Sequence, residues 1–182
     1  NIKEAAKFYQ QLINQKCNDH KVFSNYGAIL YGLGNLKEAE SHARKAIEIN
    51  PNFSDAYSNL GIILNDLGNL KEAEFSYRKA IEINPNFSDA YSNLGNVLKD
   101  IGNLKEAEFS YRKAIEINPN YSEALSNLGN IMKDLGNSED AFDCYLRVIK
   151  TDQKYLNIYS YITEFLRDTD LSKLNKIKLQ FI

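Results

Sequence analysis

The sequence predicts an all-α solenoid of antiparallel helix hairpins, on three observations. Pro51, Pro85 and Pro119 stand 34 residues apart, each inside the phrase Ile-Asn-Pro-Asn. Residues 54–87 and 88–121 differ at only five of 34 positions. Within each unit the apolar residues recur at helical spacing, in two runs divided by a Gly-Asn pair. A self-similar period of this length means stacked supersecondary units. Such a stack offers an extended concave surface rather than one deep pocket, so binding is the function class to expect.

The elements follow in chain order. Asn1-Ile2-Lys3-Glu4-Ala5 aligns with Asn35-Leu36-Lys37-Glu38-Ala39, so 1–19 reads as the second helix of a preceding unit, with Tyr9 and Leu12 in its core pattern. Units follow at 20–53, 54–87, 88–121 and 122–155. In 54–87, Tyr57, Leu60, Gly61 and Leu64 mark the first helix, and Ala73, Tyr77 and Ala80 the second. Gly68 ends the first helix, where a left-handed residue is cheap. Asn69 is placed to cap the second, with Glu72 completing a box, and Pro85 prevents that helix from continuing. Ser54 and Ser88 are the expected caps of their first helices. Glycine recurs mid-helix at Gly27, Gly61, Gly95 and Gly129, which predicts close backbone approach to the partner helix. Residues 156–182 form a decayed unit or capping helices: Tyr159, Ile162 and Leu166, then Leu174, Ile177 and Leu179, keep the pattern without glycine or proline. The apolar Phe181-Ile182 end in place of a polar cap suggests a piece excised from a longer protein, and end-to-end self-association of copies.

The order aromatic, x-x, Leu-Gly, x-x, Leu, then Gly-Asn, Ala, x-x-x, Tyr, x-x, Ala, then Pro resembles the tetratricopeptide repeat (TPR). Residues 20–53 carry it with Phe23, Gly27, Ala39, Ala46 and Pro51. Residues 122–155 carry Leu125, Gly129, Ala141 and Tyr145, but have Val148 for alanine and Gln153 for proline. The resemblance implies a right-handed superhelical solenoid whose first helices line the inner face.

Composition narrows the function. Apolar residues are 43% and charged residues 25%, which fits a folded soluble chain. A net charge of −2 gives no basic field for nucleic acid or an anionic membrane surface. No apolar run approaches the ~20 residues of a membrane span. Cys17 and Cys144 fit no metal spacing and read as reduced thiols of a cytoplasmic protein. Nothing matches a phosphate loop, a metal set or a nucleophile–base constellation, so neither an enzyme nor a cofactor is expected. His20 and His42 are expected to be solvated surface histidines.

The informative residues lie on the first helices, opposite the second. At 100° per residue the stripe is Lys21, Asn25, Ala28 and Gly32 in 20–53, then Asp55, Asn59, Ile62 and Asp66 in 54–87. It continues as Asp89, Asn93, Asn96 and Asp100 in 88–121, and Glu123, Asn127, Asn130 and Asp134 in 122–155. Lys99 and Lys133 stand beside it. Asparagine is a poor mid-helix residue, yet it fills one column four times. A side-chain amide offers donor and acceptor together and can pair with any peptide unit. The feature is similar to the asparagine ladder in the TPR region of O-linked N-acetylglucosamine transferases. The alternative is that these asparagines only help neighbouring units to pack. Asp55, Asp89 and Glu123 suit the first turn, whereas Asp66, Asp100 and Asp134 oppose the dipole of the last.

The expected function is a protein- or peptide-binding scaffold whose acidic, amide-lined groove takes an extended segment with basic residues. The alternative is a targeting or substrate-recruiting segment of a larger transferase. TPR domains that clamp a C-terminal carboxylate use basic residues in the groove. The matching places here hold Ser24, Ala28, Asn59, Asp89 and Asn93, so that specialisation is excluded. The twin repeats differ in chemistry at Ile62/Asn96 and Asn65/Lys99, both on or beside the stripe. Phe75 and Phe109 are expected on the outer face of their helices.

Overall fold

The computed structural model describes residues 1–151 together with Ile162, Thr163 and Arg167. The decayed unit expected at 156–182, with its Phe181-Ile182 end, otherwise lies outside the described residues. The chain divides into two compact units, Asn1–Ile117 and Asn118–Ile182.

The first unit holds α1 (Ile2–Asn14), α2 (His20–Gly32), α3 (Leu36–Ile49), α4 (Ser54–Asp66), α5 (Leu70–Ile83), α6 (Ser88–Ile101) and α7 (Leu104–Ile117). The hairpins are α2–α3, α4–α5 and α6–α7, and α1 packs on α2. Neighbouring hairpins join through α3 on α4 and α5 on α6, while the first helices α2, α4 and α6 lie side by side. The second unit holds the hairpin α8 (Ser122–Asp134) and α9 (Ser138–Thr151). Among the described residues the protein is an all-α helical-repeat solenoid.

Two turn chemistries set the period. Each hairpin turn is a glycine in the left-handed region: Gly34 (φ 81°), Gly68 (77°), Gly102 (89°) and Gly136 (76°). The following asparagine N–H closes back on the helix, as from Asn69 to the Leu64 carbonyl at 2.8 Å, which satisfies an end carbonyl. Between hairpins, proline forces the residue before it into extended backbone, seen in Asn50 at φ −135°, ψ 95°. The Asn50 side chain then accepts the Asn52 N–H at 3.1 Å, and Asn84 and Asn118 do the same for Asn86 and Asn120. The phrase Ile-Asn-Pro-Asn is thus an Asx turn.

The expected caps are corrected here. The N-caps of α4 and α6 are Phe53 and Phe87, and Ser54 and Ser88 are the first helical residues. Asn35 and Asn69 hold the N-cap positions of α3 and α5 without a side-chain cap bond. The physical reason is the tight turn on each side: first-turn donors are met by backbone carbonyls, as Leu36 N–H meets Gly34 O at 3.0 Å and Ala56 N–H meets Phe53 O at 3.2 Å.

The core is small residues threaded by a few rings. Ala39, Ala46, Ala73, Ala80, Ala107 and Ala114 are fully buried. The mid-helix glycines make room for a tyrosine ring rather than for backbone. A Cβ on Gly61 would stand 2.7 Å from the Tyr77 ring, and on Gly95 or Gly129 2.6 Å from Tyr111 or Tyr145. Among these mid-helix glycines backbone approach is found at Gly27, where an added Cβ would stand 3.1 Å from the Ala39 carbonyl oxygen. There the repeat has Ala43 where the others have tyrosine, and His42 fills the space instead. His42 is half-buried, edge-on to Tyr26 at 4.7 Å and against Phe23 at 5.8 Å. It is not the solvated histidine expected, and burial holds its pKa below the ordinary value against the opposing pull of Glu38. His20 packs edge-on to Phe53 at 4.7 Å.

Candidate functional site

In the first unit the adjacency of α2, α4 and α6 brings Asn25, Asn59 and Asn93 to corresponding places on three neighbouring helices. Their amides are differently engaged. Asn25 Nδ2 donates to the Tyr9 hydroxyl at 3.2 Å, and Asn59 Nδ2 donates to Ser24 Oγ at 3.1 Å. Asn93 is half-buried and makes no side-chain hydrogen bond among the described residues. Asn59 thus ties one repeat to the one before it, while Asn93 keeps donor and acceptor unspent.

One turn along stand Ala28, Ile62 and Asn96. Because Gly95 has no side chain, the Tyr111 ring lies across the face of α6 there and its hydroxyl donates to Asn96 Oδ1 at 2.6 Å. Ile62 offers Tyr77 no such acceptor. Tyr77 is 2% exposed, and its phenol is pushed well above the ordinary range by burial first, then by the charges of Asp66 and Tyr31.

At the helix ends, Asp66 accepts the Tyr31 hydroxyl at 2.7 Å across α2 and α4. That bond raises the Tyr31 pKa, with burial and the Asp66 charge adding to it. It gives this last-turn carboxylate a structural partner that its place against the dipole did not suggest. Asp100 and Lys99 are exposed, without an ion pair or side-chain hydrogen bond among the described residues. Asp55 and Asp89 are exposed in the first turns of α4 and α6.

In the second unit, α8 carries half-buried Asn127, exposed Asn130, and exposed Glu123, Lys133 and Asp134. The Tyr145 hydroxyl passes Gly129 and donates to Asn130 Oδ1 at 2.7 Å. Burial pushes the Tyr145 phenol up to about 12, with the charges of Asp134 and Cys144 contributing.

The tyrosines that orient the stripe were not foreseen. The signal was present: tyrosine follows each of Gly61, Gly95 and Gly129 by 16 residues and is missing only where Gly27 meets backbone. The outer face was also under-read. Arg44 bonds Glu72 at 2.7 Å, and Arg78 bonds Glu106, each tying one second helix to the next. Phe75 and Phe109 are 60% exposed there. Among the described residues no group of His, Cys, Asp or Glu is arranged to hold a metal ion, and no helix is long and apolar enough to cross a membrane.

Family models described as tetratricopeptide repeat match residues 20–53, 54–87, 88–121 and 110–143. The chain belongs to the tetratricopeptide repeat family. Its solved structural relatives are of the same kind. The crystal structure of MamA superposes with a TM-score of 0.76 at 22% identity, over 84% of this chain and 90% of that one. TTC0263, a thermophilic TPR protein of Thermus thermophilus, gives 0.73 at 18% identity, over 91% and 90%. MamA from residue 41 to its end, from Desulfovibrio magneticus, gives 0.74 at 19%, over 85% and 88%. At these identities the likeness is one of fold. No curated protein is detectably similar in sequence. TPR solenoids are protein-interaction scaffolds, and such scaffolds are typically non-catalytic.

Proposed function

We propose that this TPR chain holds an extended segment of a partner protein along the first-helix stripe, with Asn59, Asn93 and Asn96 as backbone readers in the first unit. Asn127 and Asn130 are the corresponding residues of α8. The carboxylates Asp66, Asp100 and Asp134 favour basic side chains in that segment, and Lys99 and Lys133 set where they are refused. The observation that carries the reading is Asn93: a half-buried mid-helix amide with no hydrogen bond among the described residues. Asparagine there costs helix stability relative to alanine, and no packing bond offsets the cost.

The test is a selection of extended peptides on the whole chain, followed by calorimetry. Asn93→Ala should weaken binding by about 0.5–1.5 kcal/mol for one lost hydrogen bond while melting stays level or rises. Unchanged binding together with a lower melting temperature would make the asparagine structural and end this reading.

A further inference from the structure

We propose that the repeat at 54–87 carries a subsite for an arginine guanidinium, formed by Tyr31, Ile62, Asp66 and Tyr77, and that its near-twin at 88–121 refuses one. The inference deepens the peptide-holding reading of the same stripe and rests on it.

Three observations converge. Asp66 accepts the Tyr31 hydroxyl through Oδ2 at 2.7 Å, and its Oδ1 has no partner among the described residues. Tyr77 is 2% exposed, yet its hydroxyl has no hydrogen bond among the described residues. The ring passes Gly61 as Tyr111 passes Gly95, so by the twin geometry its hydroxyl emerges beside residue 62. In the twin that place holds Asn96, which takes the hydroxyl at 2.6 Å. Here it holds Ile62, and the hydroxyl is left unmet. Asn65, one turn beyond Ile62, has its Oδ1 buried without a partner.

What is missing at this place is therefore a set of donors carrying positive charge. A guanidinium has five N–H groups in a flat fork, no acceptor, and weak hydration that lets it lie on an aromatic ring. Ile62 covers an aliphatic stem. Asp66 supplies the countercharge, the Tyr77 oxygen accepts a further N–H, and Tyr31 offers a ring face. An ammonium is compact and strongly hydrated, and leaves the second contact unmade. One repeat on, Asn96 has already taken the tyrosine hydroxyl, and Lys99 in place of Asn65 opposes any cation.

The experiment is a heteronuclear NMR titration of the whole labelled chain with N-acetyl-arginine amide, N-acetyl-lysine amide and N-acetyl-citrulline amide. Citrulline keeps the shape without the charge, and lysine the charge without the fork. The arginine amide should shift Tyr31, Ile62, Asn65, Asp66 and Tyr77, and bind at least about fivefold more tightly than the other two. Ile62→Asn should weaken it by about the same factor, with the melting temperature as control, because Tyr77 gains an acceptor. The triple change N65Y, N96I and K99N, which also supplies at residue 65 the ring that Tyr31 gives the first site, should create a second set of shifts around residues 96–111. Equal shifts from lysine and arginine, no shifts, or an indifferent I62N would overturn the proposal. Selected peptides separate the two readings. Peptides that bind through Asn93 with no preference for arginine would sink the subsite alone. An arginine amide that binds here while no peptide binds would sink the peptide reading alone.

Discussion

Gly95→Ala tests whether the tyrosine ring is what the mid-helix glycine serves. The added methyl would stand 2.6 Å from Tyr111 Cε1 and 2.8 Å from Cδ1 and Cζ. Tyr111 is 0% exposed and its hydroxyl is tied to Asn96, so the ring cannot step aside without losing packing or a bond. Overpacking of this kind costs about 1–3 kcal/mol. Alanine's better helix propensity returns about 1 kcal/mol. The net expectation is a loss of about 1 kcal/mol. In a Tyr111→Ala background, which imitates Ala43 of the first repeat, the collision is gone and only the propensity gain remains. The same substitution should then stabilise by up to about 1 kcal/mol. Urea melts followed by circular dichroism on the four proteins of the cycle measure both values. A change of equal sign and size in the two backgrounds would refute the ring argument. Gly27→Ala is a contrast: its methyl meets the Ala39 carbonyl oxygen at 3.1 Å, and no side-chain truncation relieves that.

Other outcomes follow from the same geometry. Gly102→Ala meets no atom within 4 Å, so its cost is that of the left-handed backbone alone, about 1–2 kcal/mol in the same melts. His42 has a pKa held below its ordinary 6.5 by burial. Its contribution is complete above that value and is lost as pH falls below it, because the unfolded chain takes the proton first. Hydrogen-exchange protection in α2 and α3, corrected for the intrinsic exchange rate at each pH, should therefore fall on acidification, and His42→Gln should flatten the response. Tyr145, raised from 10.0 to about 12, has the opposite sense: its contribution is complete below 10.0 and fades as pH climbs towards the folded value. A tyrosinate absorbance titration of Tyr145→Phe against the parent chain should lose one late-titrating phenol, and loss of an early one would contradict it.

The period, the helix pairs and the turn glycines were legible because each is a local backbone requirement. A left-handed residue needs glycine at Gly68 wherever the neighbours lie. The caps were misread because Ser54 and Asn69 have the right chemistry for a job that the tight turns already do with backbone carbonyls. His42 was misread because it was judged alone. Set 34 residues back from Ser76-Tyr77, His42-Ala43 is an exchange of one large side chain for another across adjacent positions, and the large one in each repeat packs beside the mid-helix glycine. In the site, helical spacing was enough to name the stripe. It could not give Tyr31 to Asp66 or Ser24 to Asn59, since those bonds join residues 35 apart whose approach depends on how neighbouring hairpins sit.

The tyrosine that passes through the glycine gap also settles where a tug on the stripe is borne. Asn96 stands on α6, but its oxygen is gripped by a hydroxyl rooted on α7. A segment pulled across Asn96 strains both helices of the hairpin together, and the buried ring stiffens the joint. At Ile62 no such rivet exists, and the same pull ends in α4. Two repeats that differ at five of 34 positions are therefore unequal as mechanical anchors. Under tension a bound segment without arginine should peel from the 54–87 repeat before it leaves the 88–121 repeat.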